Sequence, residues 1–151
     1  MIASPEKLHE LLRYCIDFGK TMLTNSGEFH PFGATLGLDD KVSAAGGYNG
    51  EEHPAAQDIH RLLGEAFSSS AAEGSIAAAA LAANVNIPRE YDPPAPDGIR
   101  VLLESKDFSR LIYIPYVIKR QGLFTKSNSV TLFEPIAVQV GPGIFKAAAN
   151  A

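Results

Sequence analysis

Arg110-Leu111-Ile112-Tyr113-Ile114-Pro115-Tyr116-Val117-Ile118-Lys119 is the stretch on which the fold turns, because it is apolar at eight consecutive positions between two cations. β-Branched and aromatic side chains suit a pleated strand, and successive side chains leave a strand on opposite faces. Ile112, Ile114, Tyr116 and Ile118 form one row, and Leu111, Tyr113, Pro115 and Val117 form the other. Both rows are hydrophobic, so both faces need cover. One row belongs to the domain core, and the other calls for a second layer, a partner or a ligand.

Working outward, Ile99-Arg100-Val101-Leu102-Leu103-Glu104 leads through Ser105–Ser109 into this strand, the pattern of an antiparallel hairpin. A loop with an even number of residues, placing Leu103 opposite Ile112 and Val101 opposite Ile114, unites Ile99, Val101, Leu103, Ile112, Ile114 and Tyr116 on one face. Arg100, Leu102, Glu104, Leu111, Tyr113 and Pro115 then share the other, and an odd loop would scramble both sets. On the far side, residues 130–140 read as a last strand in which Pro135 favours an edge or a bulge. The tail from Gly141 reads as frayed or weakly helical, most of all over 146–151.

The first half is helical at two places. Ser4-Pro5-Glu6 has the chemistry of an N-cap, a first helical position and a first-turn carboxylate, and Leu8, Leu11, Leu12, Cys15, Ile16, Met22 and Leu23 supply an apolar stripe over about 5–24. Pro54 opens a second pattern with Ile59, Leu62, Leu63, Ala66 and Phe67, closed by Gly74. Between them, 28–38 and 41–45 predict a hairpin around Asp39-Asp40. The alanine-rich run at 75–87 is ambiguous, since alanine is the best helix former. Continuing the second helix through it would enclose Gly74 and reach about 30 residues, far above the usual ~10–14, so a strand is expected, with small residues that let a helix pack close. Residues 88–98, with four prolines, connect it to the hairpin.

These elements compose a single α+β domain over 1–151, of order α-β-β-α-β-β-β-β, with two helices on one face of a five- or six-stranded, largely antiparallel sheet. Under that arrangement the second face of the hairpin stays open. Leaving its large apolar side chains in water forfeits about 1.5–3 kcal/mol for each one that could be buried. Arg100, Leu102, Glu104, Leu111, Tyr113 and Val117 are accordingly the expected binding residues, and a homodimer through this face or a sheet edge is the expected remedy. The competing cover is the 88–98 loop folded across the face.

Composition narrows the partners. The chain has 151 residues, 13 Lys and Arg against 17 Asp and Glu, and a net charge of −4 without any basic run, which removes the footprint of a nucleic-acid binder. No apolar stretch suggests a leader or a membrane span, and the single cysteine, Cys15, cannot form an internal disulfide, so the cytoplasm is the expected compartment. Within its helical stripe Cys15 is expected to pack in the core.

Candidate chemistry is sparse. Glu28-Phe29-His30-Pro31-Phe32-Gly33 concentrates a carboxylate and an imidazole that alternate onto one side of an extended segment, within reach of acid–base work. His53 beside Glu51 and Glu52, and His60 beyond Asp58, could share a helix face. No metal-ligand motif exists, and a solvated helix start explains these residues, so no metal and no cofactor are expected. Gly46-Gly47-Tyr48-Asn49-Gly50 lacks the lysine and spacing of a phosphate-binding loop. A small hydrolase or metal-dependent enzyme using Glu28, His30 and His53 is the alternative to a non-enzymatic interaction or regulatory module.

The segment Glu28-Phe29-x-Pro31-Phe32-Gly33, with the glycine-ended first helix, the Ile99-x-Val101-x-Leu103-Glu104 strand and Pro115-Tyr116, resembles uncharacterised small bacterial proteins of α+β type. The resemblance implies the architecture and carries no catalytic residue with it. A looser topological likeness to profilin-like and roadblock-type domains is analogy.

Overall fold

In a computed structural model of the chain, which describes residues 3–46, 55–120 and 128–146, the described residues form two helices, seven strands and one short 3-10 turn. The helices are α1 (Pro5–Ser26) and α2 (Ala56–Glu73). The strands are β1 (Phe32–Gly37), β2 (Val42–Gly46), β3 (Ile76–Asn86), β4 (Asp97–Ser105), β5 (Phe108–Arg120), β6 (Asn128–Leu132) and β7 (Ile136–Gln139). This is the α+β fold, with the expected element order. The expected last strand is divided at Pro135, and both halves pair with β5: Leu132 lies opposite Tyr116, and Ile136 opposite Tyr113. Proline cannot donate to a ladder, so the break falls where the chain must change register.

Local chemistry sets the helix ends. The Ser4 hydroxyl accepts the Lys7 N–H at 3.2 Å, and Gly27, at φ 76°, donates its N–H to the Leu23 carbonyl to close α1. Gly74, at φ 73°, closes α2 in the same left-handed manner, which only glycine adopts without strain. No helix of the described residues is long and apolar enough to cross a membrane.

Strands run in the order β2-β1-β3-β4-β5-β6, with β7 also beside β5, and every pairing is antiparallel. The β4–β5 hairpin turns through Lys106-Asp107 alone, so Val101 lies opposite Ile112 and Ile99 opposite Ile114. The register is two residues tighter than expected. A shift of two preserves the faces, and Ile99, Val101, Leu103, Ile112, Ile114 and Tyr116 are all buried together under α1.

The placement of the helices differs from the expectation. They do not share a face: Leu11, Cys15 and Leu23 of α1 pack with Ala78, Ala80 and Ala82, whereas Ile59, Leu63 and Phe67 of α2 pack with Ala79 and Leu81. Alternation along β3 sends these two sets to opposite sides of the sheet. The alanines make both approaches possible, since a methyl group on each face leaves room for a helix on each face. Gly33 extends the same device to β1, where a Cβ would meet the Phe67 ring at 2.8 Å and also strike the Ala80 carbonyl. Cys15 is fully buried, and burial pushes its thiol up to about 12.

Candidate functional site

The second face of the β4–β5 hairpin, expected to be open, is covered by α2, by the tail after β7 and by the connection from β3 to β4. At its Glu104 end the cover is the tail. Glu104 is fully buried, and its two oxygens accept the backbone N–H groups of Gly143 at 2.7 Å, Ile144 at 2.9 Å and Phe145 at 3.0 Å. Successive amides pointing at one carboxylate form a small anion-holding nest, here filled from within the molecule. Ile144 and Phe145 are thereby held against Ile59, Leu63 and Phe67, with Leu102 half-buried alongside. The tail is therefore docked through Phe145 rather than frayed from Gly141. An apolar pair following Gly141-Pro142-Gly143 was the available signal, since a turn followed by two large hydrophobes is a docking pattern.

In the middle of the face the connection from β3 to β4 contributes. Arg89–Tyr91 forms a 3-10 turn, and the Tyr91 ring lies 5.6 Å from the ring of Tyr113, which is buried. Burial, the largest influence, raises the Tyr113 hydroxyl above its ordinary range against the lowering effect of the Arg100 guanidinium beside it. Leu111 is half-buried opposite Val138 of β7, and Val117, beyond the cover, stays 41% exposed. Of the six expected binding residues, then, Glu104 and Tyr113 are internal, Leu102 and Leu111 are half-covered, and Val117 faces outward.

Arg100 is the sixth, and it lines a cleft of about 250 Å³ between the start of α2 and the strands β3 and β4. Ala83 and Val85 line one side of it, and Phe29 and Pro31 another. Half-buried His60 lines it as well. The Arg100 Nη2 donates to His60 Nε2 at 3.4 Å, which assigns the ring proton to Nδ1. Burial first, and the Arg100 charge second, push the His60 pKa below its ordinary value, so the ring is neutral near pH 7. Sequence reasoning grouped His60 with His53. Its position next to Ile59, the first residue of the buried α2 stripe, was the signal that it borders the sheet.

Two members of the expected acid–base set are among the described residues. Glu28 and His30 are both exposed, on either side of the buried Phe29 whose ring joins Phe32 at 5.5 Å. His53, with Glu51 and Glu52, lies outside the described residues, as do residues 47–50 of the glycine-rich loop. Among the described residues no three His, Cys, Asp or Glu side chains are grouped so as to hold a metal ion. Comparison of the chain with known protein families, curated proteins and solved structures finds no match.

Proposed function

We propose that this protein is a non-enzymatic interaction or regulatory module of the cytoplasm that forms a homodimer through the β2 edge of its sheet. One observation carries the reading: among the described residues β2 is a terminal strand, and its exposed side chains are small. Ser43, Ala44 and Gly46 are exposed, and the strand holds no charge, no proline and no bulge. Terminal strands that remain single are usually blunted by such devices, because their unpaired N–H and C=O groups template the addition of another strand. Two copies of β2 meeting antiparallel about a twofold axis would join two sheets into one, with main-chain hydrogen bonds supplying the contact.

The edge is favoured over the face because α2, the tail and Tyr91 cover most of the apolar row that called for a partner. A role outside catalysis is supported by Glu28 and His30, whose side chains both turn to solvent while the intervening Phe29 anchors the segment.

Light scattering after size exclusion tests the proposal. The chain at micromolar concentration is expected at twice its own mass, and Ser43→Lys with Ala44→Lys, both at exposed positions, is expected to return it to a monomer by setting like charges across the joined strands. A parent chain that stays monomeric, or a double variant that still dimerises, overturns it.

A further inference from the structure

We propose that the cleft between α2 and the strands β3 and β4 binds a small monocarboxylate with an apolar body, held at its charged end by Arg100. This goes beyond the dimer reading and does not depend on it. Arg100 presents a planar fork of five N–H donors, a shape that matches a carboxylate in bidentate fashion. Its partners among the described residues are neutral: His60 Nε2 at 3.4 Å and the Tyr113 hydroxyl, and no carboxylate of those residues lies within 4 Å of it. Cross-strand pairing of Arg100 with Tyr113 accounts for one of these contacts. It does not account for a half-buried guanidinium that lines a largely apolar cleft with no counter-charge among the described residues.

Three further features point to the same ligand. The start of α2 borders the cleft through Ala56 and Gln57, and its N-cap, Ala55, offers no side-chain acceptor to the first-turn amides. An 18-residue helix thus adds the positive end of its dipole to the Arg100 charge, offset in part by Asp58 of the same first turn, which pairs with Arg61 at 3.6 Å. Phe29, Pro31, Ala83 and Val85 make most of the remaining lining apolar, with Asn84 a polar residue among them. That composition suits a hydrocarbon or aromatic body and disfavours a fully hydrated anion such as inorganic phosphate. Size sets the upper limit: about 250 Å³ lies just below the usual range for drug-sized ligands, which restricts the occupant to a small arylacetic or medium-chain acid.

The test is a titration of the full chain with phenylacetate, followed by calorimetry and by amide chemical shifts. Phenylacetate is expected to bind saturably at one site per chain, with phenylacetamide, its neutral counterpart, at least tenfold weaker. Arg100→Gln should lose at least tenfold in affinity and Arg100→Lys less. Gln57→Glu, on the exposed rim, should also weaken binding by placing a negative charge at the mouth, and it supplies a second readout should Arg100→Gln fold poorly. Equal binding of acid and amide would reduce the cleft to a hydrophobic pocket and overturn the proposal. So would inorganic phosphate competing as well as phenylacetate, no saturable binding at millimolar concentration, or unchanged affinity in Arg100→Gln and Gln57→Glu. None of these outcomes reads the oligomeric state, so the cleft and the dimer stand or fall separately.

Discussion

Glu104 Oε2 accepts the Gly143 N–H at 2.7 Å, joining residues 39 apart in the chain at a point with no access to water on the carboxylate side. Hydrogen bonds to a charged group contribute more than neutral ones, and removing the acceptor strands buried amides unless the segment lets go. Glu104→Ala is therefore expected to lower the unfolding free energy by about 3 kcal/mol, near the cost of undocking Ile144 and Phe145. A chain ending at Gly141 should lose a similar amount. In that shortened chain Glu104→Ala should cost little, because the amides it served are gone. Urea unfolding of the four proteins decides it, and additive losses would show that Glu104 acts on something other than the tail.

Two glycines give opposite predictions from the same substitution. Gly33→Ala forces a methyl group against the Phe67 ring and the Ala80 carbonyl, and backbone cannot yield as a side chain can. A loss of about 2–3 kcal/mol is expected for such overpacking. Gly64 lies within α2 with its nearest neighbour, Leu81 Cδ2, at 3.9 Å, so Gly64→Ala should gain about 0.5–1 kcal/mol from helix propensity alone. Thermal melts of the two variants should move in opposite directions.

Cys15 supplies a probe of the α1 interface. Its thiol is fully buried and raised to about 12, which leaves almost no thiolate at mildly alkaline pH. An aromatic disulfide reagent is expected to label it slowly in the native protein and at once in concentrated urea. Rapid native labelling would mean that α1 opens from the sheet far more readily than its packing implies.

His60 predicts the direction of one pH effect. Burial and Arg100 lower its folded-state pKa, so as the pH falls below 6.5 the unfolded chain takes up a proton that the folded chain resists. The unfolded state binds more protons in that window, and stability falls with falling pH until the folded ring also titrates. Comparing melts at about pH 7.5 and about pH 5.5, the parent should lose more stability than His60→Gln. A steeper loss in the variant would contradict the assignment.

Much of this architecture is legible in residue order, and the failures have identifiable causes. Ser4, Pro5 and Gly27 mark α1 because caps are local chemistry, and the choice of strand for 76–86 follows from Gly74 and the Val-Asn-Ile-Pro ending. The core row from Ile99 to Tyr116 survives a register error of two because side-chain alternation has a period of two. The side on which α2 packs could not be read, since β3 offers methyl groups on both faces and a pattern of hydrophobicity has no contrast there. Glu104 was grouped with Arg100 and Tyr113 as a face of mixed polarity. Nothing within its own strand reveals three amides arriving from 39 to 41 residues later. Arg100 and His60 come together across 40 residues, a relationship that only the packed fold expresses.

The alanines of β3 have one more effect. Ala78, Ala79, Ala80 and Ala82 are fully buried, so the helix–sheet core under α1 and the one under α2 are separated by a single strand. Neither side can lose its packing without exposing the backbone that supports the other. The two cores should consequently melt as one cooperative unit, and the amide protons of β3 should exchange with solvent only when the whole molecule unfolds.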